Sequence, residues 1–374
     1  MEGAVNEFSF KLYRVLSQGN DNLFLSPYSV SAALMLTMLG TKGESELQIK
    51  QTLGVSGISD PHQAYKELHE TLTGKSKQGA KLAIANRIFS KLGLDIRAEY
   101  KKESLENYNS EVELLDFVGN SEGSRRRINA WVEEQTNNKI KDLIPEGGIN
   151  ALSLIVLTNA IYFKGDWENA FQSSRTKREQ FNISETKKGM VDMMHMEKKK
   201  WLVGISDSFD CKVLSLPYKG EELSMIIVLP NKVDGLSKLE SSLSSDTFKE
   251  LTKEMFREDV IVSIPKFKLE SSFQLDKVLS EMGITDIFSR KADFGAMMDN
   301  PPEGTFVSDV IHKAFVEVNE EGTEAAAATA VMMRMMCMPM DPIVFNADHP
   351  FLFLIRENST GSVLFIGRFT EPAK

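Results

Sequence analysis

The sequence predicts an α+β protein with mostly antiparallel sheets, and three observations lead there. Helix-like and strand-like segments do not alternate one for one, as the βαβ units of a parallel sheet would. Segments 201–203, 211–216 and 223–229 follow one another as strands, separated only by turns near Asp207 and at 219–220. Residues 152–163 (LSLIVLTNAIYF) form a nearly continuous apolar run, the pattern of a strand buried in the middle of a sheet.

In chain order, 8–16 (FSFKLYRVL) has helical periodicity and 22–27 (NLFLSP) is a short strand stopped by Pro27. Residues 28–39 form an apolar helix, capped by Ser26, with Pro27 at its first position, where a missing N–H costs nothing. A turn at 40–43 leads to a helix over 44–53. Helices over 61–72 and 98–107 flank a buried strand at 81–89 (KLAIANRIF), and a strand at 112–117 comes next. The segment 127–137 (RINAWVEEQTN) is an amphipathic helix that places Ile128, Trp131 and Val132 on one face. After the apolar strand the chain turns at 164–167. Further on, 236–255 is mostly helical, 260–267 is a strand ending near Pro265, and 275–282 is a helix closed by Gly283. Residues 311–318 (IHKAFVEV) alternate as a strand, and 345–369 resumes as strands around a turn at 358–361.

Between those last two regions lies 320–339, EEGTEAAAATAVMMRMMCMP. A run of alanines ordinarily means helix, but strands flank it, and Pro339 and Pro342 interrupt regular structure on its C-terminal side. Counting in twos, Thr323, Ala325, Ala327, Thr329, Val331, Met333 and Met335 carry no charge, while Glu324 and Arg334 share the other parity. From the residues alone two readings stand: a mobile loop, or an extended segment able to lie in a sheet with its uncharged side buried.

Glu320, Glu321, Gly322, Thr323 and Glu324, followed by Ala325, Ala326, Ala327, Ala328 and Thr329, resemble the hinge of a serpin reactive-centre loop. Segments 345–353 (FNADHPFLF) and 363–369 (VLFIGRF) resemble that family's C-terminal signature. So do 22–45 at the N-terminal signature, 138–147 (NKIKDLIPEG) and 157–167 (LTNAIYFKGDW). The resemblance covers nearly the whole chain as one domain, 1–374, with the reactive-centre loop at about 320–344.

It implies the serpin fold: a large mixed, mostly antiparallel sheet, smaller sheets, surrounding helices and an exposed loop. It implies suicide inhibition of serine proteases, and for some members of cysteine proteases. The protease is acylated at the loop, and the cut loop inserts as an extra strand in the large sheet. The family register counts fourteen residues from Gly322 and puts the reactive bond at Met336–Cys337. An unbranched thioether suits the apolar pocket of an elastase-like or chymotrypsin-like enzyme. Cleavage after Arg334 is the competing register and would suit a trypsin-like pocket; Met335 and Cys337 are further alternatives. The resemblance implies an inhibitory member, since the usual hinge pattern is kept; a charged or bulky hinge would mark the alternative class, a non-inhibitory carrier, chaperone or storage protein. A charge placed at Thr323 is expected to turn the inhibitor into a substrate. By the same resemblance Ser26, Ser29, Asn159 and His312 form the shutter over which the sheet opens. Polar groups buried in apolar runs need partners, so Asn159 and His312 are expected to bond each other. The methionines at 332, 333, 335, 336, 338 and 340 make oxidation to sulfoxides a route to lost pocket fit.

Composition excludes several other functions. A net charge of −9 argues against nucleic acid, and the clusters 125–127 and 198–200 read as solvated faces with only a weak case for polyanion binding. The two cysteines, Cys211 and Cys337, are too few for a disulfide scaffold and read as free thiols. No apolar run reaches the ~20 residues of a membrane span. The first twenty residues lack a signal-peptide core. Asn182 and Asn358, in N-x-S/T triplets, are glycosylation acceptors only if the chain is secreted. The compartment stays open: extracellular if a leader has been removed, cytoplasmic if Met1 is the native start. No Gly-x-Ser-x-Gly elbow, zincin helix, P-loop or metal-ligand cysteine spacing occurs, so an enzyme with its own site, a metal or a cofactor is not expected. A monomer is expected.

Overall fold

The computed structural model describes residues 1–73, 80–322 and 341–372. Its first part comprises α1 (Glu2–Leu16), β1 (Leu23–Leu25), α2 (Pro27–Leu39), α3 (Gly43–Leu53) and α4 (Pro61–Thr73). Then come β2 (Ala80–Lys91), α5 (Ala98–Tyr108), β3 (Val112–Leu115), α6 (Ser121–Gln135) and β4 (Ile155–Gly165). A run of strands succeeds them, β5 (Lys177–Asn182), β6 (Lys188–Ser206), β7 (Cys211–Pro217) and β8 (Leu223–Pro230), then α7 (Leu236–Ser242) and α8 (Ser245–Lys253). The rest is β9 (Phe256–Pro265), β10 (Phe267–Gln274), α9 (Asp276–Glu281), β11 (Val307–Val318), β12 (Ile343–Asn346), β13 (Phe351–Glu357) and β14 (Val363–Phe369).

The strands form two mixed sheets. One has nine strands in the order β1-β14-β13-β8-β7-β6-β9-β12, with β5 on β6. The other has five, β10-β11-β4-β2-β3. At 19 residues β6 is long enough to pair with β5, β7 and β9, which joins pieces that a shorter strand would leave apart. The strand expected over 260–267 ends as β9 at Pro265, as its proline suggested, since proline has no N–H to continue a ladder; Phe267 already begins a second strand, β10, in the other sheet. The helical stretch 236–255 is likewise two helices, the second begun by Ser244, whose Oγ accepts the Thr247 N–H at 3.1 Å.

The five-stranded sheet positions the site. Its middle strand β4 is buried on both faces, which is why its sequence is apolar apart from Thr158, Asn159 and the Lys164 near its end. Ile155, Leu157, Ile161 and Phe163 belong to the main core with α2, while Val156, Ala160 and Tyr162 pack under Ile128, Trp131 and Val132 of α6. β4 pairs with β2 antiparallel and β11 with β10 antiparallel, but β4 and β11 meet in parallel. This seam lies in the five-stranded sheet.

Candidate functional site

Midway along the seam a row of side chains crosses four strands. Register places Phe273, His312, Asn159 and Asn86 opposite one another on β10, β11, β4 and β2. His312 Nδ1–H donates to Asn159 Oδ1. The Ser26 backbone N–H donates to His312 Nε2 at 3.1 Å. One ring nitrogen must donate and the other accept, so the neutral imidazole protonated at Nδ1 satisfies both. Burial agrees with this, pushing the His312 pKa down to about 3 against a smaller opposing effect of the Asn159 hydrogen bond.

Asn159 Nδ2 donates to the Ser29 carbonyl at 2.8 Å, to Ser29 Oγ at 2.5 Å and to Asn86 Oδ1. Ser26 Oγ accepts the Ser29 N–H at 3.2 Å, capping α2, and donates to Leu364 O on β14 at 2.7 Å. Phe273 stacks on the imidazole with centroids 6.1 Å apart. The four expected residues, Ser26, Ser29, Asn159 and His312, are therefore brought together, and Asn86 joins them. Its signal was a lone amide in the apolar strand KLAIANRIF, but the register that sets it beside Asn159 is not written in either strand alone.

At the mouth of the seam, 319–322 turns away from β11. Gly322 has φ +71, and a Cβ there would stand 2.1 Å from the Trp167 nitrogen and 2.5 Å from the Asp166 backbone. Only glycine fits both the conformation and the contact. Trp167 N–H donates to Glu321 O at 3.2 Å, Trp167 Nε1–H to Asn319 O at 2.9 Å and Phe171 N–H to Glu320 O at 2.7 Å. Trp167 is itself fixed by stacking on Tyr218, with centroids 4.6 Å apart. Lys266 Nζ reaches Glu320 Oε2 at 2.9 Å, and Thr176 Oγ donates to Oε1 at 2.8 Å. Burial acts to raise the Glu320 pKa, but the hydrogen bonds from Lys266 and Thr176 outweigh it and hold the carboxyl below its ordinary value. The chain leaving β11 is thus tied to the end of β4 by backbone bonds and to Lys266 by an ion pair.

The seam is covered by α6 and the segment after it. Asn129 exchanges two hydrogen bonds with Ile144, both 2.9 Å, folding that segment back on the helix. Lys313 of β11 donates to Lys141 O at 2.7 Å and pairs with Glu270 of β10 at 2.7 Å, a polar tie between cover and sheet.

Thr323, Glu324, Ala325, Ala326, Ala327, Ala328, Thr329, Arg334, Met336 and Cys337 lie outside the described residues. Cys211 is a buried free thiol, its pKa pushed up to about 12 by burial and by Asp210. Asn182 is half-buried at the end of β5 and donates to Asp348 O at 3.3 Å; Asn358 is exposed, with its amide on Glu221 O at 2.7 Å and Ser224 Oγ at 2.8 Å. The basic clusters are partly paired: Arg125 and Arg126 share Glu122, Arg127 sits on Glu113 and Lys198 on Asp259.

Comparison with known proteins agrees with this geometry. The profile of the family described as serpin (serine protease inhibitor) matches residues 3–372. The chain is 40% identical over 379 residues to the leukocyte elastase inhibitor of Xenopus tropicalis, covering 100% of this chain and 99% of that protein. Uncleaved ovalbumin superposes with a TM-score of 0.90 at 30% identity, over 99% of both chains. Serpin48, a highly specific serpin of the insect Tenebrio molitor, does so with a TM-score of 0.88 at 33% identity, over 99% of this chain and 97% of that one. The chain belongs to the serpin family of serine protease inhibitors.

Proposed function

We propose that the chain, as one serpin domain over 1–374, is a monomeric suicide inhibitor of serine proteases with an apolar primary pocket. Met336 is the bait, and Met336–Cys337 the bond cut. The observation that carries this reading is the parallel seam with its hinge at one end. A segment returning from the turn at 319–322 between β4 and β11 would run antiparallel to both. One parallel ladder, the less stable kind per residue, would be replaced by two antiparallel ones. The uncharged parity that begins at Thr323 suits a buried face, and burying Val331, Met333 and Met335 adds roughly 1.5–3 kcal/mol each. Insertion must part His312 from Asn159 and displace the Lys313–Lys141 tie, so both act as barriers that keep the intact chain from closing on itself. Thr323 to Met335 spans about 43 Å when extended at ~3.3 Å per residue, enough to carry an attached enzyme the length of the sheet. The resemblance to a protein named leukocyte elastase inhibitor supports an elastase-like target.

The test is to mix the chain with elastase, chymotrypsin and trypsin and follow denaturing gels and released peptides by mass. The proposal expects an SDS-stable complex with elastase or chymotrypsin and release of 337–374. A peptide beginning at Met335 would move the bait to Arg334 and a trypsin-like enzyme. Cleavage with no covalent band would point to a substrate or carrier instead.

A further inference from the structure

Ten large apolar side chains are exposed among the described residues, and four of them gather around Lys212: Val344 (54%), Ile205 (49%), Phe256 (45%) and Ile261 (36%). Scattered singly, such residues need no explanation, whereas a group at one place marks a contact surface. Register and one hydrogen bond set the group together. Ile205 of β6 is directly opposite Lys212 of β7. Phe256 of β9 is opposite Val203, two residues before Ile205 and on the same side of β6. Lys212 Nζ donates to Val344 O of β12 at 3.1 Å, and Val344 stands opposite Ile261 of β9. Val203 and Leu214, on the Ile205 side, are fully buried, so apolar surface continues here from the core out to solvent. The rim is charged: Arg257 is exposed beside Phe256, and Lys198 pairs with Asp259 at 2.9 Å, two residues from Ile261. An apolar centre within a polar rim is the build of a protein–protein contact.

Place in the chain selects the partner. β12 is the strand the chain enters on leaving the reactive-centre loop. Seven residues lead from Cys337 to Val344, so at ~3.3 Å each the tether reaches about 23 Å when fully extended. A domain of ~200 residues is about 40 Å across. An enzyme closed on Met336–Cys337 is therefore wider than its tether is long, and it overhangs the ground where β12 begins.

We infer that Ile205, Phe256, Ile261 and Val344 form an apolar exosite that the serine protease touches while the reactive-centre loop is still intact. This rests on the inhibitory reading above and adds a determinant of which protease is chosen. Met336 is offered to every enzyme with an apolar primary pocket; a second contact, outside the cleft, sorts those enzymes by the surface beside it. Such a contact lies away from the reacting bond and is equal in the ground state and the transition state, so it raises capture, kcat/KM, and not the chemical step. Insertion carries the enzyme away from β12, so the contact has no part in holding the final complex.

The test compares the full-length chain with the triple variant Ile205→Ser, Phe256→Ser, Val344→Ser and with Val344→Ser alone, which covers the case that the triple folds poorly. Leu47→Ser, an exposed leucine of α3, is the control. Three quantities are read with elastase: the second-order rate of inactivation, the number of inhibitor molecules consumed per enzyme, and the fraction in SDS-stable complex. The inference expects the first to fall about tenfold in the triple variant, less in the single and not at all in the control, within the ~1–3 decades over which association rates vary among mutants of one interface. The other two keep their wild-type values. Unchanged inactivation rates overturn the exosite while leaving inhibition intact. Higher consumption per enzyme also overturns it, because the patch then bears on insertion rather than capture. Dimers in sedimentation that the variants split make the patch a contact between copies and overturn it as well. If the wild-type chain forms no SDS-stable complex, the inhibitory reading fails and the exosite fails with it.

Discussion

Beyond their shared ladder, β4 and β11 are tied in two places, and these are built from opposite chemistry. The middle of the seam is dry and neutral: His312, Asn159, Ser26 and Ser29 are buried and their bonds run between uncharged groups. The mouth is an ion pair and a set of backbone bonds, with the Lys266 side chain 44% exposed and that of Glu320 12%. Water and salt reach the mouth and not the middle. The difference teaches a ranking: the mouth loosens at smaller cost than the middle, whose bonds are shielded from water.

The largest expected effect breaks the middle. Asn159→Leu strips partners from His312 Nδ1, Ser29 O and Asn86 Oδ1 at once, and is expected to cost about 3–5 kcal/mol of stability by urea unfolding. A loss under ~1 kcal/mol would mean the cluster holds nothing.

Acid separates the two regions without mutation. Folded His312 takes up its proton only near 3, whereas the unfolded chain does so near 6.5. Between those values the unfolded state binds more protons, so stability is complete above 6.5 and falls by about 1.4 kcal/mol per pH unit as the pH drops. His62 and His69, both lowered by burial, add to the same trend. Glu320, held below its ordinary 4.5, has the opposite window: its contribution persists above 4.5 and is lost only as the pH falls through its lower folded value. Urea midpoints that fall between pH 6.5 and 4.5, with the mouth still intact, are the expected result.

Gly322→Ala sharpens the mouth. The left-handed backbone costs roughly 1–2 kcal/mol for any residue with a Cβ, and the 2.1 Å approach to Trp167 N forces the turn outward. Circular dichroism melts should show the loss, and stoichiometry with elastase should rise as the loop enters late. The smallest effect is Glu320→Gln, about 1 kcal/mol at low salt and less at high salt, since Lys266 is half in water. An effect independent of salt would place Glu320 with the dry middle instead.

Much of this was legible in the sequence, and for identifiable reasons. Asn159 and His312 stand out because each interrupts an apolar strand, and Gly322 because it follows two acids and precedes a small-residue run. The end of β9 near Pro265 was legible from the proline, but β10 was not, since its lysine, glutamate, serines and glutamine dilute the apolar alternation. Strands β5 and the first half of β6 were missed because their lysines, glutamates and arginines mask the alternation. Contacts made across the fold, such as Asn86 with Asn159 or Trp167 with Asn319, depend on register and on turns that no local pattern records.

The central claim is that the intact chain is held short of its most stable state by the seam between β4 and β11. The direct measurement is thermal melting before and after a single cut within 323–340. The account predicts that the cut chain melts far above the intact one, as the freed segment fills the seam. Equal or lower melting after the cut would contradict it.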